Sequence, residues 1–343
     1  MAYDARFGIE YKKKKSPKRK KSSRKSSKKK TTVPAVRHLK YQVTTPAAGA
    51  THQFYFDLFY HLSLVNRRLY RQGQNLFIKK ITVNSRNTTN GSVAALAAPT
   101  SWVTYAAWRQ AFKLWMEMRK GHGGAPGSGL PQGVTPATWA DFKVYLSNEH
   151  RVGTAHWPLP LDGDNIPVVV TNAEWTHARY ISPDATAASD EFEAHLLGPD
   201  VGAAGAYTSV GIIQGYEESR RTVQQDETSA EINTDSWMIN LFDDGTTLDE
   251  IAEDLKDDGD FPPYQYNQYT GGATNMAHPI VQQHKSVVQE GPALSAPTAT
   301  LGSVLAPCGL LQLDIQSNLA DDVWDILIEI QEGPAKGVKA LPM

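Results

Sequence analysis

The side chains with the most chemical potential lie close to the start of the chain. Between Lys12 and Lys30, 13 of 19 residues are basic: Lys12, Lys13, Lys14, Lys15, Lys18, Arg19, Lys20, Lys21, Arg24, Lys25, Lys28, Lys29 and Lys30. The rest are Ser and Pro17, and no acid occurs between Glu10 and Asp57. Such a run displaces condensed counterions from a polyanion, which gives affinity without sequence readout and a steep salt dependence. Lysine dominates over arginine, which favours point-charge contact with phosphate over bidentate reading of base edges. Lys12 to Lys21, with Lys13, Lys14, Lys15, Lys18, Arg19 and Lys20 between them, also reads as a nuclear-localisation patch, the kind of segment a nuclear import receptor binds. Arg67, Arg68 and Arg71 form a smaller basic group downstream. Like charges this dense repel one another, and no apolar residue among them repays the entropy of ordering. Residues 1–40 are therefore expected to be a disordered arm. Its only apolar anchors are Tyr3, Phe7, Ile9 and Tyr11, too few to hold it to a membrane.

The remaining sequence offers weaker candidates for chemistry. Ten histidines are scattered without the His-Glu-x-x-His spacing of a zinc site. Ser209, in Tyr-Thr-Ser-Val-Gly, lacks the first glycine of a nucleophile elbow. Cys308 enters an apolar stretch and reads as a buried structural thiol. The loop from Gly121 to Pro136 has six Gly and three Pro, but it matches neither the phosphate-loop nor the dinucleotide pattern. Asp243 to Asp260 carries nine acids and one Lys. A calcium loop centred on Gly259 would put Lys256 at a ligand position, so the pattern fails. Thr247 and Glu250 instead suit a capping box, with Leu248, Ile251 and Leu255 as the stripe of a short helix. No catalytic residue, metal or cofactor is expected.

Composition narrows the class. The chain has 343 residues, 41% hydrophobic and 21% charged, which excludes collagen-like, coiled-coil and mostly disordered proteins. No apolar run approaches the roughly 18 residues of a membrane-spanning helix, and a polylysine start is unlike a secretory signal. A single cysteine rules out an internal disulfide framework. The net charge of −1 hides a strong asymmetry. Residues 1–40 hold 16 Lys/Arg against 2 acids, residues 41–120 hold 10 against 2, and residues 121–343 hold 9 against 32. Charge segregated this way along a chain implies an anionic partner for the basic end.

The elements positioning these residues are read from periodicity. Thr31 to Ala50 reads as linker. From Gln53 to Tyr60, Phe54, Phe56, Leu58 and Tyr60 alternate with Gln53, Tyr55, Asp57 and Phe59, which predicts a strand whose outer aromatics need cover. A short helix is expected over Leu62–Arg71, a strand over Leu76–Val83 and a turn over Asn87–Ser92. Tyr105, Trp108, Phe112 and Trp115 recur at helical spacing, a stripe that suits a core-facing helix. Further strands are expected over Phe142–Leu146, Val168–Thr171, Trp175–Ile181, Phe192–Leu197, Leu310–Ile315 and Val323–Gln331. Short strands among long loops, without βαβ repetition, argue for an all-β sandwich or barrel.

Several segments resemble those of a known family. Val65-Asn-Arg-Arg-Leu-Tyr-Arg-Gln-Gly73, Ser101-Trp-Val-Thr104, Trp139-Ala-Asp-Phe-Lys-Val-Tyr-Leu146, Ser209-Val-Gly-Ile-Ile213 with Ser219-Arg220, and Ala306-Pro-Cys-Gly-Leu310 follow one another behind a basic arm. In this order they resemble capsid proteins of small circular single-stranded DNA viruses that encode a Rep protein, in particular the unclassified environmental members. The arm is Lys-rich, where circovirus arms are Arg-rich. The resemblance implies a single jelly roll of two four-stranded antiparallel sheets over residues 41–343, with long loops and short helices. It further implies self-assembly into an icosahedral shell, of about sixty copies in the simplest case, with arms turned inward onto a single-stranded DNA genome. Localisation would be the virion, and the host nucleus during assembly. Exposed aromatics such as Tyr55 and Phe59 would then serve contacts between subunits. Two rival readings are a cellular nucleic-acid-binding protein with a basic nuclear-localising tail and an enzyme tethered to nucleic acid by its arm. The first would be expected to carry a recognition module and the second a catalytic motif, and neither pattern is found.

Overall fold

The structure, a computed structural model, describes residues 34–87, 91–122, 142–153, 157–169, 175–183, 189–203, 206–219, 269–273, 281–288 and 297–343, with Met238 and the pairs 3–4 and 9–10. The chain divides into two units, Met1–Thr31 and Thr32–Met343. In the first, Tyr3–Asp4 pairs antiparallel with Ile9–Glu10. The run Lys12–Lys30, with its expected disorder, and the acidic segment Asp243–Asp260 lie outside the described residues.

The second unit opens with β1 (His38–Thr45), β2 (Thr51–Asp57), α1 (Leu58–Asn66), β3 (Gln74–Ser85) and β4 (Gly91–Ala97). A long insertion follows, with α2 (Trp102–His122), α3 (Asn148–Val152), β5 (Arg179–Pro183), β6 (Ser189–His195), β7 (Val201–Ala203), β8 (Ala206–Gly211) and α4 (Ile212–Ser219). The chain then returns through β9 (Val281–Val288), β10 (Thr298–Leu301), β11 (Val304–Pro307), β12 (Leu310–Ser317) and β13 (Asp322–Ile330). It ends in a two-rung hairpin, β14 (Glu332–Gly333) with β15 (Gly337–Val338), and β16 (Ala340–Pro342).

Two antiparallel sheets form from these strands. One runs β1-β13-β3-β10, with β11 continuing beside β3 where β10 stops, and β16 also on β3; the other runs β9-β4-β12-β2. With β10 and β11 counted as one interrupted strand, the first strand pairs with the last, the second with the seventh, the third with the sixth and the fourth with the fifth. That nesting is a ribbon of paired strands rolled up on itself, a jelly roll. The expected all-β jelly roll is the fold observed.

Alternation explains why the sheets close on each other. Trp324, Ile326, Ile328 and Ile330 of β13 face inward, between Asp325, Leu327 and Glu329. They meet Leu39, Tyr41 and Val43 of β1, Phe54 and Phe56 of β2, and Leu311, Leu313 and Ile315 of β12 in one core. Each large side chain buried there contributes about 1.5–3 kcal/mol against exposure.

The β9-β4-β12-β2 sheet has a second apolar face, and the insertion covers it. Tyr55, Cys308 and Leu310 join Trp108, Leu114 and Trp115 of α2, Phe142, Val144, Tyr180, Phe192 and Val210 in a separate core. Of the aromatic stripe read from the sequence, Trp108 and Trp115 lie on the inward face of α2 with Val103, Ala107, Ala111, Leu114 and Met118, whereas Tyr105 is half-buried and Phe112 is exposed. Within the insertion, β5 pairs antiparallel with β6, β6 parallel with β8, and β8 antiparallel with β7.

Several local expectations change. The alternation from Phe54 stops at Asp57, because its carboxylate caps α1, accepting the N–H of Tyr60 at 3.1 Å. The helix therefore spans Leu58–Asn66 rather than Leu62–Arg71, and Arg67 ends it in the left-handed region at φ 51°. The supposed linker contains β1, whose apolar positions alternate with Lys40, Gln42 and Thr44. Phe142–Leu146 is buried but forms no ladder; only Tyr145 bridges to His195. Tyr55 and Phe59, expected on the surface for subunit contacts, are buried within their own chain.

Candidate nucleic-acid interface

Several of the described basic side chains outside the arm lie where the chain enters the jelly roll. Asn66, the last residue of α1, holds the incoming strand: its Oδ1 accepts the N–H of Val36 at 2.7 Å and its Nδ2 donates to the Val36 carbonyl at 3.0 Å. Next to it, Arg68 donates from Nη1 to the carbonyl of Pro34 at 2.9 Å. Residues immediately downstream of the Lys run are therefore tied to the loop that carries Arg67, Arg68 and Arg71. All three arginines are exposed.

Two lysines from the other end of the chain join this loop. Lys336 donates from Nζ to the Leu69 carbonyl, and its own carbonyl accepts from the Tyr70 hydroxyl at 2.9 Å. Its ammonium lies 5.8 Å from the centroid of the Tyr70 ring, and that of Lys339 lies 4.2 Å from the centroid of Phe77. Arg37 reaches Glu332 at 3.4 Å and, through its carbonyl, the N–H of Ile330 at 2.8 Å. Arg37, Arg67, Arg68, Arg71, Lys336 and Lys339 thus share one end of the sandwich, with Glu332 as the acid bound among them. Cations held on a rigid scaffold can contact phosphates and add to the salt slope of a polyanion complex. They provide no general base or nucleophile.

The structure brings together Arg67, Arg68 and Arg71 as one loop. Lys336 and Lys339 escape a sequence reading, because only the return of the chain through β13 and β16 sets them beside residues more than two hundred positions earlier. A pair of lysines in Pro-Ala-Lys-Gly-Val-Lys carries no signal of its own.

The remaining candidates are structural. His195 Nδ1 lies 2.7 Å from Ser209 Oγ, which resembles a catalytic pair, but both side chains are fully buried and His195 Nε2 is engaged by the Pro199 carbonyl at 2.9 Å. The bond fastens β6 to its parallel neighbour β8. Cys308 is buried, with its Sγ 3.4 Å from Met343 Sδ, and burial pushes its thiol well up, away from the reactive thiolate. Comparison with protein-family models, with curated proteins and with solved structures gives no match.

Proposed function

We propose that this protein is a viral capsid subunit that assembles into a closed icosahedral shell and packages a single-stranded DNA genome through its basic N-terminal arm. The observation that carries the reading is the placement of the arm's point of departure, Pro34–Arg37, among Arg67, Arg68, Arg71, Lys336 and Lys339 on a jelly-roll body. A jelly roll also serves lectins and cupins, so the fold alone would not select a capsid. A polybasic arm rooted in a basic end of the sandwich adds what a shell subunit needs, one pole directed at nucleic acid. The ordered segment resemblance to capsid proteins supports the same reading. In it, the partners are further copies of the chain, the DNA genome and a host nuclear import receptor that takes Lys12–Lys21, and the arm acts by counterion release rather than base readout.

Negative-stain microscopy of the purified chain, with light scattering across salt and pH, tests the proposal. Closed, roughly spherical particles are expected. A stable monomer under all conditions would overturn it, and a small soluble complex with DNA would favour a cellular nucleic-acid-binding protein instead.

A further inference from the structure

The contact between the jelly roll and its insertion contains a stack of rings in which two members are histidines. Tyr55 of β2 stacks on His150 of α3 with centroids 5.1 Å apart and planes at 12°. His150 meets the edge of Tyr145 at 5.5 Å and of Trp157 at 4.9 Å. Tyr145 in turn stacks on His177 at 3.7 Å and 14°. Hydrogen bonding fixes the protonation state of the first histidine. His150 Nδ1 accepts the backbone N–H of Leu146 at 3.0 Å, so that nitrogen bears no proton while the contact holds. His177 Nε2 is buried and has no hydrogen-bond partner among the described residues.

A proton has no good place in this stack. On His150 Nδ1 it would set N–H against N–H. On His177 it would create a buried cation without an acceptor, close to the ammonium of Lys143, which itself lies 4.7 Å over the Trp175 ring. The carboxylates packed around the stack have partners other than its two histidines, and Glu193 meets the Tyr145 hydroxyl. Glu193 of β6 pairs with Arg151 of α3 at 3.8 Å, and Glu191 of β6 with Arg179 of β5 at 3.3 Å. Asp57 of β2 accepts from Gln72 and Trp175, and Asp314 of β12 from Gln312. Glu149 of α3 is exposed. None of these is hydrogen-bonded to either ring among the described residues.

We propose that this stack is an acid-operated latch between the jelly roll and the residues inserted between β4 and β9: neutral His150 and His177 close it, and protonation of the two rings opens it. Burial supports the direction, holding His177 down at about 3 and His150 well below the ordinary value of 6.5. A depressed histidine stabilises the closed state above about 6.5 and loses that contribution as pH falls toward its folded value. His195 and Asp200 are bonded within the insertion, to Ser209 and Pro199 and to Gly211 and Gln214, and stay closed when it lifts. Asp57, in the seam, acts in the opposite sense: burial pushes it up to about 7, so it favours the closed state at low pH and loses that contribution as pH rises through 7. Two rings against one carboxylate leave a net uptake of one proton on opening, about a tenfold change in the opening constant per pH unit between 6.5 and 4. His61 pairs with Tyr41 inside the jelly roll and stays closed when only the insertion lifts.

Hydrogen exchange of the full-length protein from pH 7.5 to 4, corrected for intrinsic rates, tests the latch without reference to assembly or to DNA. The Leu146 amide and the Trp157 indole are expected to lose protection about tenfold per pH unit while β13 amides stay protected. His177→Phe keeps a ring on Tyr145 but removes the proton site, so its opening should become nearly independent of pH in that range. Unchanged protection in the wild type down to pH 4, or a His177→Phe profile as steep as wild type, would overturn the proposal. If that variant does not fold, the wild-type series decides alone: β13 losing protection together with Leu146 means global acid unfolding and no latch.

Discussion

The Asp57 carboxylate accepts a hydrogen bond from the side-chain amide of Gln72 at 2.7 Å, with both residues buried in the seam between jelly roll and insertion. Gln72 passes the contact on, since its Oε1 accepts the N–H of Val144 at 2.7 Å. Asp57 also takes the Trp175 indole N–H at 2.9 Å and caps α1 through Tyr60. One side chain therefore ends β2, starts a helix and fastens two segments of the insertion.

Replacing Asp57 tests this arrangement. Asp57→Ala removes the cap, worth about 1 kcal/mol, and leaves the Gln72 and Trp175 donors unpaired in a buried site at about 1–3 kcal/mol each. A total loss of about 3–7 kcal/mol is expected in denaturant unfolding at neutral pH. Gln72→Ala, which leaves the cap intact, should cost less. Equal losses for the two variants would show that the cap contributes nothing.

A close approach at the start of β12 sets a second expectation. Cys308 and Gly309 both have positive φ, at 57° and 68°, and the Gly309 carbonyl accepts the N–H of Leu58 at 2.9 Å. A Cβ on Gly309 would fall 2.5 Å from Cδ2 of Phe59, a ring fixed in the core. Gly309→Ala should therefore destabilise the fold by about 2–4 kcal/mol, combining left-handed strain with overpacking. Gly49, also at positive φ but with open space around it, provides the control; Gly49→Ala should show the backbone strain alone. Thermal unfolding of the two variants side by side distinguishes the contributions.

The same residues show which parts of the fold could be read from sequence. β13 was legible because Trp324, Ile326, Ile328 and Ile330 alternate with a face that carries Asp325 and Glu329, and α2 because four aromatics repeat at helical spacing. β4 was not, since its buried positions are Val93, Ala95 and Ala97, too small to stand out from a loop. β1 was hidden between Pro34 and Pro46. The α1 boundary failed because Asp57 completes an alternating pattern and only its capping bond ends the strand. At the candidate interface, Arg67, Arg68 and Arg71 were visible as a local group, whereas Lys336 and Lys339 became part of it only through long-range pairing.

The arm sets the last expectation. On the proposed capsid function, deleting residues 1–32 should leave the body and its assembly largely intact and abolish encapsidation of nucleic acid. The arm adds almost no apolar surface, so the core keeps its burial. The deletion leaves Pro34, Val36 and their bonds to Arg68 and Asn66 in place. In such a shell, mutual repulsion among crowded arms would disappear, which would favour assembly. What is lost is the Lys12–Lys30 run, and each phosphate contact removed takes one term from the salt slope. Full-length protein should bind single strands of unrelated sequence about equally and weaken steeply as salt rises. The 260/280 absorbance ratio of gradient-purified particles, full-length and truncated prepared together, reads the outcome. Should truncated particles carry as much nucleic acid as full-length ones, packaging would have to reside in the body. The paired substitutions Arg68→Glu and Lys336→Glu in the truncated chain would then be expected to empty the particles, because they reverse charge at the centre of the basic end.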